Sequence, residues 1–128
     1  MDHWIPCTLK GLLSSMIGID IVDVTRIGKA LERHGERFLA KVFTPSEIAY
    51  ARSKRRMEES LAGRFAAKEA FMKAKGERLD WKDIEVSSKG GKPYITYKGN
   101  RYDGVSISHE KSYAVSVVFY QDRIKEVP

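Results

Sequence analysis

Two carboxylates in this 128-residue chain stand where the surrounding pattern calls for apolar side chains. Over residues 59–75, ESLAGRFAAKEAFMKAK, a helical step of about 100° per residue gathers Leu61, Ala62, Phe65 and Met72 on one arc. Glu69 falls inside that arc, whereas Arg64, Lys68 and Lys75 fall well outside it. A charge on the core side of a helix costs several kcal/mol unless something pairs with it. Glu69 therefore has a partner, or the apolar stripe opens there onto a site. Residues 17–22 read Ile-Gly-Ile-Asp-Ile-Val, a β-branched run suited to a buried strand. Its alternation sends Ile17, Ile19 and Ile21 to one face and Gly18, Asp20 and Val22 to the other.

Asp20 and Glu69, one on a strand and one on a helix, are the kind of oxygen donors that converge on a hard cation such as Mg²⁺. That ion takes one or two protein carboxylates and completes its shell with water and substrate phosphates. Two plainer roles stay open: Asp20 as the cap of the following helix, and Glu69 as the ion-pair partner of Lys73 one turn on.

The elements that must hold these groups can be traced along the chain. Residues 25–34 carry Ile27, Ala30 and Leu31 on one face, with Gly35 as the expected stop. Thr44-Pro45-Ser46-Glu47 is a capping box with proline in the first turn, and it starts a helix expected to run to about Arg56. The Glu69 helix follows and ends near Gly76. Residues 83–86 and 92–97 flank Ser87-Ser88-Lys89-Gly90-Gly91 as one hairpin; residues 104–108 and 113–120 flank His109-Glu110-Lys111-Ser112 as another. In the last strand Tyr113, Val115, Val117 and Phe119 make an apolar face, and Ala114, Ser116, Val118 and Tyr120 a mixed one. This order predicts an α+β fold, with helices packed on a largely antiparallel sheet.

Composition narrows the chemistry. The length suits one domain, and the hydrophobic share of 42% with 31% charged residues is that of an ordinary globular protein. Cys7 is the single cysteine, so there is no internal disulfide and no Cys/His zinc spacing, and a reducing cytoplasm fits. No apolar run approaches the roughly 18 residues of a membrane span. The net charge of +6 points to a polyanionic partner. Its cations gather at Lys54-Arg55-Arg56, at Arg64, Lys68 and Lys75, and at Arg26, Arg33 and Arg37; a solvated surface is the plain explanation of each group. Residues 1–15 lack the form of a signal peptide. They read as an N-terminal extension that Trp4, Ile5, Leu9, Leu12 and Leu13 would dock on a neighbouring surface, with the domain proper over residues 16–128 and Met16 as a natural start.

Taken in order, several segments resemble the acyl carrier protein synthases, the small phosphopantetheinyl transferases. They are Gly18-Ile19-Asp20-Ile21-Val22 with Arg26, then Phe43-Thr44-Pro45-Ser46-Glu47, then Leu61-Ala62-Gly63-Arg64-Phe65-Ala66-Ala67-Lys68-Glu69-Ala70 with Lys73-Ala74. Trp81-Lys82-Asp83-Ile84-Glu85-Val86, Gly91-Lys92-Pro93 and Val105-Ser106-Ile107-Ser108-His109 complete the set. The resemblance implies transfer of the 4′-phosphopantetheine arm of coenzyme A to a serine of apo-acyl carrier protein, releasing adenosine 3′,5′-bisphosphate, in support of fatty acid biosynthesis. It makes Asp20 and Glu69 the Mg²⁺ ligands and Lys73 a contact to the phosphates or leaving group. It assigns Arg64 and His109 to the 3′-phosphate of coenzyme A, with Lys54, Arg55 and Arg56 adding field and Gly91-Lys92-Pro93 shaping a turn beside the pocket. Arg26 and Arg37 match its docking arginines for an acidic carrier. The family also implies a homotrimer with sites between subunits, in which the mixed face of the last strand would build the interface. A rival of another class is a nucleic-acid-binding module stacking bases on Tyr94, Tyr97 and Tyr102. It leaves Asp20 and Glu69 without a purpose. A second rival binds coenzyme A or carrier protein without catalysis.

Overall fold

In the computed structural model the described residues, 15–121, run as a strand, four helices and five further strands. Strand β1 (Ser15–Asp23) leads into helices α1 (Val24–His34), α2 (Glu36–Val42), α3 (Pro45–Arg52) and α4 (Met57–Lys75). A single 3₁₀ turn at Trp81–Asp83 precedes strands β2 (Ile84–Lys89), β3 (Lys92–Tyr97), β4 (Asn100–Tyr102), β5 (Val105–His109) and β6 (Tyr113–Gln121). The extension carrying Trp4, Ile5, Leu9, Leu12 and Leu13 lies outside the described residues. The expected sheet is two three-stranded antiparallel sheets, ordered β1-β6-β5 and β2-β3-β4.

Local chemistry explains most boundaries. Asp23, not Asp20, caps α1, accepting from Thr25 N at 2.9 Å; Gly35, with φ +51°, ends it. The capping box is complete: Thr44 N donates to Glu47 Oε1 at 2.9 Å and Glu47 N to Thr44 Oγ1 at 3.3 Å. The helix it starts closes at Arg52, short of the expected Arg56. Gly76 takes the left-handed conformation that ends α4. Gly90 and Gly91, both at positive φ, make the tight turn of the β2–β3 hairpin. Helix α2 and the short β4 were not anticipated, each being too brief to show a period.

Helix α4 is wrapped on nearly every side, with 12 of its 19 residues buried. The expectation that Arg64 and Lys68 form an exposed stripe is therefore overturned: they are 6% and 0% exposed. Alanines 62, 66, 67, 70 and 74 let neighbouring backbones close on the helix. Gly18 does the same from β1, since a Cβ there would sit 2.0 Å from the Ala70 carbonyl oxygen and 2.6 Å from Ala74 N. Strand β1 is thus buried on one side only. Gly18 and Val22 face α4, while Ile17, Ile19 and Ile21 are outward and about two-thirds exposed. Residue pairing carries the same division into β6: Ala114, Ser116, Val118 and Tyr120 point inward, and Val117 and Phe119 are exposed. It is the apolar face of the last strand, not the mixed one, that is left outside.

Phe71 anchors the core between Tyr97, Tyr102 and Tyr120, with ring centroids 5.5, 5.3 and 5.6 Å away. Tyr97 and Tyr102 are buried, and Tyr94 is half-buried beneath the Arg101 guanidinium. That removes the surface on which bases would stack. Lys68 ties the second half of the core together. Its ammonium reaches Glu47 Oε1 at 2.8 Å, Val42 O at 2.8 Å and Trp81 O at 2.9 Å. Glu47 also accepts from Val86 N at 2.6 Å. Burial pulls Lys68 below the ordinary lysine value, and Glu47 pulls it back.

Candidate functional site

A cleft of about 380 Å³ opens over the first turns of α4. Tyr50 from α3 and the Lys54-Arg55-Arg56 run form one wall, and Ser88, Gly91 and Pro93 of the β2–β3 hairpin form another. Ile107 and His109 at the end of β5 close it. They come this near because Gly63 has no side chain: a Cβ there would be 3.1 Å from Ile107 Cγ2 and 3.7 Å from His109 Cδ2. Arg64 lies on the floor, its guanidinium 3.9 Å from the centre of the Tyr50 ring. Burial draws Arg64 below the usual arginine value, opposed by Tyr50 and Glu47, yet guanidinium keeps its charge in proteins. His109 Nδ1 meets Glu59 Oε1 at 2.7 Å, and Arg56 Nη1 lies 3.5 Å from the other Glu59 oxygen. The volume suits a small ligand, and the clustered cations beside aliphatic and aromatic surface suit one that is anionic and partly flat.

A second constellation lies towards the other end of α4. Asp20 faces the helix from β1 and takes a hydrogen bond from Lys73 Nζ at 3.1 Å; Ile19 O takes another at 3.1 Å. Burial raises the Asp20 carboxyl above its ordinary value, while Lys73 and Arg26 pull it down. Arg26 is thereby near enough to act on Asp20. Glu69 precedes Lys73 by one turn on the same face, but Lys73 bonds Asp20, and Glu69 has Arg78 Nη1 at 3.6 Å from Oε1. Among the described residues no three His, Cys, Asp or Glu side chains gather as a metal cage. Asp20 and Glu69 carry the oxygen donors that Mg²⁺ prefers, an ion that leaves most of its positions to water and phosphate, but Asp20 is bonded to Lys73 and Glu69 lies nearer Arg78.

The sequence-derived residues thus fall into two groups. Arg64 and His109 share the cleft with Lys54, Arg55, Arg56, Gly91 and Pro93. Asp20 and Lys73 are in contact, with Glu69 on the adjoining turn. Glu69 is five positions beyond Arg64, about 7.5 Å along the helix axis. Arg26 on α1 and Arg37 on α2 are exposed. Sequence reasoning missed Tyr50, Glu59 and Ser60 in the cleft. For Ser60 the signal is its spacing of one turn from Arg64 on the same helix face.

The sequence profile of the 4′-phosphopantetheinyl transferase superfamily matches residues 16–118. The holo-[acyl-carrier-protein] synthase of Halothermothrix orenii is 48% identical over 116 residues, covering 80% of this chain and 93% of that protein. The Thermus thermophilus protein of the same name is 36% identical over 118 residues, covering 85% and 94%. Among solved structures, a Bacillus anthracis holo-(acyl-carrier-protein) synthase in complex with CoA (3′,5′-ADP) superposes with a TM-score of 0.74 at 37% identity, covering 84% of this chain and 96% of that one. The Helicobacter pylori enzyme in complex with coenzyme A gives 0.73 at 34% identity, covering 84% and 100%.

Proposed function

The chain belongs to the 4′-phosphopantetheinyl transferase superfamily, and on that footing we propose that it moves the 4′-phosphopantetheine arm of coenzyme A onto a serine of an acidic apo-acyl carrier protein. The observation that carries this reading is a buried arginine facing a ligand-sized cleft that Lys54, Arg55, Arg56 and His109 also line. The carrier's serine oxygen attacks the phosphorus that bears the pantetheine arm. The bond from that phosphorus to the bridging oxygen breaks, the serine proton is lost, and adenosine 3′,5′-bisphosphate leaves. No protein nucleophile is needed, so the chain's contribution is positioning and charge.

Arg64 and His109 hold the 3′-phosphate; Arg suits this because its charge is permanent and its donors form a fork. Asp20 and Glu69 would hold Mg²⁺, which when bound neutralises diphosphate charge and polarises the attacked phosphorus. Lys73 contacts the phosphates or the leaving group, exchanging its bond to Asp20 for them. Arg26, close to Asp20, and Arg37 meet the acidic carrier and bring its serine towards the carboxylates. The outward Ile17, Ile19, Ile21, Val117 and Phe119 supply an apolar face that supports assembly as a homotrimer. In that assembly Asp20, Glu69 and Lys73 of one chain meet Arg64 or His109 of the next. The transferase unit spans residues 16–128 after an extension of residues 1–15. It acts in the cytoplasm in support of fatty acid biosynthesis, as the family implies.

The test is to incubate the protein with coenzyme A, Mg²⁺ and apo-carrier, then weigh the carrier by mass spectrometry. A gain of one phosphopantetheine arm is expected, lost in Asp20→Ala and Glu69→Ala proteins that stay folded. Full turnover by the folded double variant would refute the metal-ligand assignment, and no gain with wild type would refute the function.

A further inference from the structure

Ser60 stands on the opening turns of α4, 6% exposed, and its hydroxyl has no hydrogen-bond partner among the described residues. A serine inside a helix commonly turns its hydroxyl to the carbonyl four residues back. Here that carbonyl, Arg56 O, takes the backbone N–H of Ser60 at 3.2 Å and the hydroxyl stays unpaired. One turn on, Arg64 Nε is also buried and unpaired, and both residues line the cleft. Spacing of four places them on one face of the helix. Two buried polar atoms left unpaired one helical turn apart are uncommon in folded proteins and point to something that completes them.

Their chemistry limits what that is. Arg64 Nε only donates, so the missing group is an acceptor. The Tyr50 ring centre lies 3.9 Å from the guanidinium carbon, so a ligand would meet the guanidinium from another side. The Ser60 hydroxyl can donate to the same acceptor, and a phosphate oxygen carries enough lone pairs and charge to take both bonds. Lys54, Arg55, Arg56 and His109 around the same cleft favour an anion there.

We infer that Ser60 is a further ligand of the 3′-phosphate of coenzyme A, its hydroxyl donating to the phosphate alongside Arg64 Nε. This rests on the cleft being the coenzyme site, with Arg64 at that phosphate. Binding of coenzyme A and of dephospho-coenzyme A, which lacks the phosphate, is measured by calorimetry for wild type, Ser60→Ala and Arg64→Ala, with the melting temperature of each ligand-free protein. Ser60→Ala should weaken coenzyme A roughly tenfold, the scale of one hydrogen bond to a charged group, and change dephospho-coenzyme A less than twofold. Its ligand-free melting temperature should hold or rise, because an unpaired buried hydroxyl is gone; a merely structural serine would lower it. If Arg64→Ala changes the preference for coenzyme A and Ser60→Ala does not, the Ser60 inference fails and the phosphate site stands. Equal losses for both ligands in Ser60→Ala would move the hydroxyl to another part of the nucleotide and also overturn it. If Arg64→Ala leaves the preference unchanged, the phosphate assignment itself falls, and the Ser60 inference with it.

Discussion

Helix α4 buries two cations one turn apart, and they are used in opposite ways. The Lys68 ammonium has three N–H groups and finds three acceptors, on Glu47, Val42 and Trp81. Arg64 is almost as deep, yet it keeps Nε unpaired and faces an open cleft. Burial alone therefore does not mark a functional charge. What separates the two is whether the protein itself completes the hydrogen bonds: Lys68 is finished within the fold, and Arg64 Nε has no partner among the described residues.

The sharpest way to break this contrast is at the finished site. Lys68→Ala leaves Glu47 buried without its cation, and a loss of about 3–5 kcal/mol is expected from urea unfolding. Lys68→Met with Glu47→Gln removes both charges and keeps an amide acceptor for Val86 N–H, so it should recover much of that loss. A double variant no better than the single one would show that the charges are not coupled. Arg64→Ala is the mirror case. Its stability should change by under about 1 kcal/mol, while the preference for coenzyme A over dephospho-coenzyme A falls on the order of tenfold to a hundredfold. Large destabilisation would place Arg64 with Lys68 instead.

Asp20 is an intermediate case, a carboxylate only partly compensated by Lys73 and Arg26, and it gives the smallest effect. Because burial raises its value in the folded protein, it stabilises most below the ordinary carboxylate range. That contribution is lost as pH rises through the raised value. Asp20→Asn should therefore lift the melting temperature of the metal-free protein at neutral pH by about 2–4 °C, with a smaller gain in acid. A lowered melting temperature at neutral pH would mean that the bond to Lys73 outweighs burial.

Much of this architecture is legible in the sequence where a signal is local. The Thr44–Glu47 box, the stop at Gly76 and the two-glycine hairpin turn each depend on a few neighbouring residues, and each is found in place. Asp20 and Glu69 stand out because a charge breaks an apolar period. What could not be read is which face meets which. On β1 and β6 both faces hold apolar residues, so alternation identifies two sides without saying which is inward. Gly18 held the answer, since only the side lacking a Cβ can lie against Ala70 and Ala74. The helical wheel failed at Arg64 and Lys68 for a related reason: it assumes one wet face, and α4 is covered by a sheet on one side and helices on others. The meeting of Lys68 with Glu47, 21 residues earlier in the sequence, exists only once three elements have packed.

Strand β1 carries one last implication. Neighbouring side chains leave its nine residues in opposite directions, so a replacement at Ile17, Ile19 or Ile21 reaches whatever abuts the protein without displacing the acid beside it. The outward and inward faces can consequently drift on separate schedules within one short segment, and an engineer could rewrite the outward triplet while the inward acid stays as it is. Position 18 is the exception, because any bulk there would lift the whole strand and disturb both at once.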